Sequence, residues 1–234
     1  NEIDIDKIDG LIFCTQSPDH IMPPNSSILH GILGLGENVF AFDTNLACSG
    51  FIYSLGLAKG LMSSSIAKNI LLINADTYSK YININDRSTK LLFGDAASAS
   101  FLIEGSSNEG IIDILCSSAG KHYKKFIVPS GGLRYPKSNK SSIPIIDKSG
   151  NIKTDEDIHM DGMGIFAFVN SKVPKQIKYI LQKNELNIED IDLFIFHQAS
   201  KLAIDSLSKI LKIDSKKVFM NLDKVGNTVS ASIP

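Results

Sequence analysis

Ala41-Phe42-Asp43-Thr44-Asn45-Leu46-Ala47-Cys48-Ser49-Gly50 is the stretch on which the reading of this chain turns. The apolar run from Val39 to Phe42 predicts a strand, and a cluster of small residues follows it. A long amphipathic helix is expected to begin at or near Cys48, because Phe51, Leu55, Ala58 and Met62 recur at helical spacing with Ile52 beside them. A cysteine in that place stands at the positive end of a helix dipole, where backbone N–H groups favour thiolate without a neighbouring cation. Ala47, Ser49 and Gly50 leave room for a substrate carbonyl to approach. The same position also suits a buried structural cysteine.

Outward from this stretch, strands and helices alternate. Asp9 to Thr15 predicts a short buried strand, and prolines at 18, 23 and 24 bracket a loop through His20 and Met22. Asn25 is placed to cap a helix through Ile28, Leu29, Ile32 and Leu33, ending at Gly34 or Gly36. Asn69 to Ala75 is a continuous apolar run, as in a strand covered on both faces. Asp86-Arg87-Ser88-Thr89 reads as a capped turn into a short helix, and Gly94 to Glu104 as another strand. The alternation predicts an α/β fold with a mostly parallel sheet and helices on both faces.

From Gly110 the pattern restarts. Ile111 to Cys116 is a strand candidate, and residues 130–157 form an exposed excursion with solvated lysines. A helix over about 162–182 carries Pro174, expected to kink it or to mark a break between a pair of helices. Asp192 to His197 predicts a buried strand ending in a histidine, Ser200 to Leu211 an amphipathic helix, and Val218 to Met220 the start of one more strand. Gly226-Asn227-Thr228 reads as a turn into the last residues. The chain is thus expected to hold two related series, residues 1–105 and 106–234.

Composition limits the function. The 234 residues carry a net charge of −1, which offers no electrostatic footprint for nucleic acid or a membrane surface. Hydrophobic residues make up 43%, enough to bury a core for one or two domains. No apolar run reaches spanning length, no signal peptide is visible, and three scattered cysteines build no disulfide framework, so a cytoplasmic setting is expected. The histidines show no metal-ligand spacing, and no metal is expected. The start without methionine and the stop after a small-residue turn read as an internal segment of a longer protein.

Three polar residues stand at ends of apolar elements: Cys48, His197 and Asn227. In open α/β sheets, sites gather beyond the carboxyl ends of strands, and a Cys, a His and an Asn arriving there form a nucleophilic constellation. Singly, His197 also reads as a structural residue and Asn227 as a turn residue. Five motifs then carry a resemblance that spans essentially the whole chain: FDTNLACSG around Cys48, DRSTKLLFGDAASA from Asp86, HMDGMGIF from His159, FHQAS from Phe196 and LDKVGNTVSASIP from Leu222. In this order they resemble the 3-oxoacyl-(acyl-carrier-protein) synthase III family, the ketoacyl synthase branch of the thiolase superfamily.

The resemblance implies a thiolase-like, five-layered αβαβα fold with two related halves, and a homodimer. It implies that Cys48 takes an acyl group from an acyl-CoA, and that His197 and Asn227 bind the thioester carbonyl of a malonyl unit on an acyl carrier protein. No cofactor is expected beyond the coenzyme A thioester that serves as substrate. The Cys48 N–H is expected in the oxyanion hole, with a second donor from a glycine-rich strand nearer the C-terminus. Arg87 matches the mouth of the coenzyme A tunnel, and Gly162 and Phe166 match tunnel-lining positions, although Phe166 also reads as a core residue of its helix. Met22 matches a residue that reaches the partner subunit's acyl pocket, and Ala199 and Ser200 join the substrate-binding set. Asp43 and Asp95 read as structural carboxylates.

The chain departs from the family's housekeeping members after Ala199, where Ser200, Lys201 and Leu202 replace Asn, Leu and Arg. The missing arginine belongs to the carrier-docking patch, and a lysine one residue away faces elsewhere. A specialised relative is expected, as in secondary metabolism or surface-polysaccharide acylation. Two other readings stand beside condensation: an acyltransferase of the same fold that passes the Cys48 acyl group to a hydroxyl or amine, and a non-catalytic partner subunit.

Overall fold

The computed structural model describes residues 3–105 and 109–234. Two compact units emerge, one of Asn1–Thr77, Asp95–Cys116 and Thr228–Pro234, the other of Tyr78–Gly94 and Ser117–Asn227. These units are interleaved along the chain, whereas the related series expected from the sequence were contiguous. Residue 106, where the second series would begin, lies outside the described residues.

The first unit is built on a four-stranded sheet of β1 (Gly10–Cys14), β2 (Phe40–Thr44), β3 (Asn69–Asp76) and β4 (Ala96–Ile103), in the order β2-β1-β3-β4. β1 runs parallel to both neighbours, and β4 closes the far edge antiparallel to β3. Strand periodicity sorts the side chains. Ile12, Ile70 and Leu72 face α2 (Gly50–Ser63) and pack with Ala58, Phe51, Leu55 and Met62. Leu11 and Leu71 face the other way and pack with Leu29 and Leu33 of α1 (Asn25–Leu33). Each fully buried Leu or Ile contributes about 1.5–3 kcal/mol. The face toward α2 also explains Gly10, because the Phe40 ring occupies the space a Cβ there would need.

Asn25 is not the cap of α1. Pro24 holds that position, Asn25 opens the helix, and the Asp43 carboxylate of β2 accepts the N–H groups of Asn25 and Ser26, each at 2.8 Å. The helix stops at Gly34, whose φ of 65° is a left-handed conformation that glycine adopts without strain. Residues 111–116 form no strand. Their carbonyls turn to α2 instead, where the Lys59 ammonium donates to Ile111 O at 2.6 Å and Ile112 O at 3.0 Å.

The second unit is held by α4 (Gly162–Lys183) and α5 (Lys201–Leu211), after the short α3 (Arg87–Lys90). Pro174 does not split α4; it sits buried inside one continuous element. Its missing N–H costs about 3 kcal/mol, which the burial of Pro174 itself and the packing of Ile177 against Phe194, Leu211 and Ile213 offset. Residues 126–127 and 159–160 pair as one two-residue ladder, and 145–146 with 152–153 as another, so the excursion folds as a small hairpin. The expected strand over 192–197 does not form, nor does the one at 218–220. Phe194 makes an isolated bridge to Val218, while Leu193 and Ile195 remain 51% and 44% exposed. Among the described residues, no helix is long and apolar enough to cross a membrane.

Candidate active site

Cys48 lies in a turn two residues before α2, with Ser49 as the N-cap. The turn is closed by the Gly50 N–H donating to Ala47 O at 2.7 Å. From beneath, the Cys14 thiol donates to Leu46 O at 3.3 Å. A Cβ on Gly50 would overlap the Cys14 sulfur, and Ser230 and Leu46 crowd the same point. This is a close backbone approach that only glycine permits. Gly50 therefore packs the start of the helix onto the carboxyl end of β1, and Cys48 is presented beyond the strand ends.

The expected thiolate is not what the structure favours. Cys48 keeps exposed surface, yet the surrounding protein desolvates its thiol and pushes it up to about 12; the bond from its own N–H acts the other way, and the Asp76 carboxylate adds to the rise. Desolvation outweighs the helix terminus here because the effect of the dipole falls off within the first turn, and Cys48 stands outside it.

Asp76, at the end of β3, escaped the reading of the sequence. It is 1% exposed and accepts the Gln16 N–H at 2.8 Å, the Thr15 hydroxyl at 3.4 Å, and both the hydroxyl and the N–H of Ser230 at 2.5 and 3.3 Å. Burial pushes its carboxyl above the usual range, against the pull of these donors. Only its place at the carboxyl end of an apolar strand could have marked it.

In the second unit, Asn227 is fixed through its backbone. Its N–H donates to Leu92 O at 2.9 Å and its carbonyl accepts the Gly94 N–H at 3.0 Å. Gly226 precedes it at φ 70°, pressed against the backbone of Leu92 and Gly94. The Asn227 side-chain amide reaches Ala199 O at 3.5 Å, and the Ala199 N–H closes a tight turn onto His197 O at 2.8 Å. Gln198, 1% exposed, braces that turn by donating to Phe196 O and accepting the Asn221 N–H. His197, Ala199 and Asn227 are thus brought together. Burial pulls the His197 imidazole down to about 4, so it is neutral near pH 7.

The remaining expected residues are more scattered. Ser200 caps α5, its hydroxyl accepting the Ala203 N–H at 3.2 Å. Arg87 is exposed, and its guanidinium donates to Ser149 O at 3.2 Å while its N–H meets Asn151. Gly162 opens α4 behind the cap Asp161, which an ion pair with Lys125 at 2.8 Å holds below the usual carboxylate range. Phe166 is half-buried on α4. Met22 belongs to the first unit and is 79% exposed. Among the described residues, no group of three His, Cys, Asp or Glu is placed to hold a metal ion.

Residues 42–120 match the family model described as 3-Oxoacyl-[acyl-carrier-protein (ACP)] synthase III, and residues 181–234 match the model of its C-terminal region. The chain is 38% identical over 234 residues to a beta-ketoacyl-[acyl-carrier-protein] synthase III of Clostridioides difficile, covering all of this chain and 68% of that one. It is 39% identical to the Campylobacter fetus protein of the same name, covering 99% of this chain and 68% of that one. A crystal structure of a 3-oxoacyl-(acyl-carrier-protein) synthase III superposes with a TM-score of 0.96 at 38% identity, over 99% of this chain and 69% of the other. The Burkholderia xenovorans enzyme superposes at 0.84 with 34% identity, over 98% and 64%. The chain spans about two thirds of the length of the curated relatives it matches. The α/β fold is therefore the thiolase-like one, and the chain belongs to the 3-oxoacyl-(acyl-carrier-protein) synthase III family of acyl-transferring condensing enzymes.

Proposed function

We propose that the protein extends an acyl group by decarboxylative condensation. The Cys48 sulfur attacks the carbonyl of an acyl-CoA, the C–S bond to coenzyme A breaks, and the thiol proton leaves on the coenzyme A sulfur. A malonyl thioester on an acyl carrier protein then loses CO₂. The electron pair of the broken C–C bond becomes an enolate whose oxygen is held by His197 and Asn227. That enolate attacks the acyl-cysteine, the C–S bond to Cys48 breaks as the 3-oxoacyl-carrier protein forms, and the Cys48 thiolate takes a proton from solvent. The Cys48 N–H is proposed as an oxyanion donor in the first step. No resident cofactor is required.

The observation that carries this reading is the buried, neutral His197 on the same tight turn whose Ala199 carbonyl accepts the Asn227 carboxamide. An imidazole and a carboxamide are uncharged N–H donors suited to a developing enolate oxygen, where aimed donors are each worth about 10²–10³ in rate. The same imidazole makes a poor general base near pH 7. That disfavours direct transfer of the acyl group to a hydroxyl or amine, which needs a base and no malonyl unit.

We further propose Arg87, Gly162, Phe166, Ala199 and Ser200 as substrate contacts, Met22 as a contact to a partner's acyl pocket, a homodimeric assembly and a cytoplasmic location without nucleic-acid or membrane partners. Among the described residues β2 is the outer strand of its sheet, and an outer strand supports self-association.

The test is intact-protein mass after mixing the full-length protein with a panel of acyl-CoAs, followed by CO₂ release from malonyl-carrier protein. An acyl mass gain absent from Cys48→Ala, with CO₂ release that needs Asn227, is expected. Acylation with no decarboxylation would refute the condensing role.

A further inference from the structure

Cys14 ends β1 and takes no part in the proposed chemistry, yet it touches the turn that carries Cys48 on both sides. Its S–H donates to the Leu46 carbonyl at 3.3 Å, just before Cys48 in the chain. Its sulfur fills the space beside Gly50, just after Cys48, where a Cβ would overlap it. Cys14, Leu46, Cys48 and Gly50 all belong to the first unit. Cys14 is buried, and burial pushes its thiol up, so it stays protonated near pH 7 and keeps a hydrogen to donate.

The Cys48 N–H belongs to the peptide unit that carries the Ala47 carbonyl, and that carbonyl accepts the Gly50 N–H at 2.7 Å. The peptide unit before it carries the Leu46 carbonyl, which Cys14 holds. A peptide unit is planar, so fixing its C=O also aims its N–H. Two successive units are thus held by their oxygens. Cys14 acts on the first directly and on the second through the Gly50 backbone against its sulfur. We infer that Cys14 is a positioning residue for the Cys48 N–H, the proposed oxyanion donor of the acylation step. Such a donor works only where it is aimed at the developing charge. A displacement of about 1 Å there costs on the order of a hundredfold in rate. The S–H is a weak donor; it supplies direction, and the bulk of the sulfur supplies the support. This inference rests on the proposed acylation of Cys48, and the experiment separates the two.

The full-length protein is compared with Cys14→Ser and Cys14→Ala. Both lose the bulk of the sulfur, and only serine keeps a donor. Single-turnover acylation by an acyl-CoA is followed by mass, with the maximal rate and the half-saturating concentration read separately. Alkylation of Cys48 by iodoacetamide, followed by peptide mass, is the second readout, because it uses the same sulfur and develops no oxyanion. In Cys14→Ala the maximal acylation rate should fall by about tenfold or more, with half-saturation and alkylation both within about twofold of wild type. Cys14→Ser should recover a large part of that loss. Cys14→Val, which keeps bulk without a donor, takes the place of Cys14→Ala where that variant does not fold, and should likewise acylate more slowly than Cys14→Ser. Unchanged acylation without the donor would overturn the inference. So would an equal fall in acylation and alkylation, which is what a merely structural residue gives, or a serine variant no faster than the variant without a donor. A wild-type protein that takes no acyl group on Cys48 would overturn the acylation step itself, and this inference with it.

Discussion

Two apolar runs of similar composition meet different fates in this molecule. Asn69-Ile70-Leu71-Leu72-Ile73-Asn74 becomes the middle of a sheet, with β1 on one side and β4 on the other. Asp192-Leu193-Phe194-Ile195-Phe196 stays irregular, with one bridge at Phe194. In the first run Ile70 and Leu72 are fully buried and Leu71 is 8% exposed. In the second, alternate residues face solvent. An apolar run supplies a candidate strand. Partners in register on both sides are what satisfy its backbone and make it one.

The proposed nucleophile Cys48 follows the paired region, and His197, one of the proposed carbonyl-binding pair, follows the unpaired run, so the proposed roles can be probed separately. The largest expected effect follows from that. His197→Ala should leave acylation of Cys48 intact and lower condensation by about 10²–10³. Single-turnover mass spectra of the acyl-enzyme, chased with malonyl-carrier protein, give both rates. Equal loss in the two steps would show that the turn at His197–Ala199 supports the nucleophile as well.

Stability sharpens the contrast. Leu72→Ala in the paired run should cost about 2–5 kcal/mol, because it leaves a cavity between sheet and α2. Leu193→Ala, at a position 51% exposed, should cost no more than about 0.5 kcal/mol. Urea denaturation midpoints decide it, and a large loss at Leu193 would mean that something covers that run in solution.

Much of this was legible in local spacing. The strand, turn and helix around Cys48, the Asp86 cap with its side chain on the Ser88 N–H, and the Ser200 cap of α5 all depend on residues a few positions apart. What could not be read depends on distance. Asp43 capping α1 and Asp76 holding Ser230 join residues 17 and 154 positions apart, and no periodicity encodes either. The state of the Cys48 thiol failed for another reason: a dipole is visible in a sequence, while desolvation is a property of the folded surroundings.

Desolvation acts on both sites with opposite sign, which makes pH a probe. His197 falls from 6.5 to about 4 on folding, so between those values the unfolded chain binds a proton that the folded chain does not. Stability is then full above pH 6.5 and is lost as pH falls toward 4, by up to roughly 3 kcal/mol. His197→Asn should flatten the melting temperature over that window, and condensation in the wild type should show no inflection near 6.5. Cys48, raised to about 12, should alkylate slowly with iodoacetamide, at a rate still climbing above pH 9. A plateau near neutral pH would show that the thiolate forms far more easily than its surroundings suggest.

The smallest effect lies on the first turn of α5, just after the turn that carries His197 and Ala199. Leu202 is 67% exposed there, at the position where the family resemblance leads us to expect a carrier-docking arginine. The Lys201 ammonium one residue before it is tied to Asp205 at 2.6 Å on its own helix. Both partners of this pair are exposed, so it adds little stability, yet it partly neutralises the lysine at the surface. Leu202→Arg should therefore tighten binding of a typical acyl carrier protein by a few-fold, since one rim charge acts mainly on association and is screened by salt. Asp205→Ala, which frees Lys201, should give a smaller gain in the same direction. Surface plasmon resonance at two salt concentrations separates the cases: a gain that vanishes at high salt places the docking patch on α5, and an affinity unchanged by either variant moves it to another face.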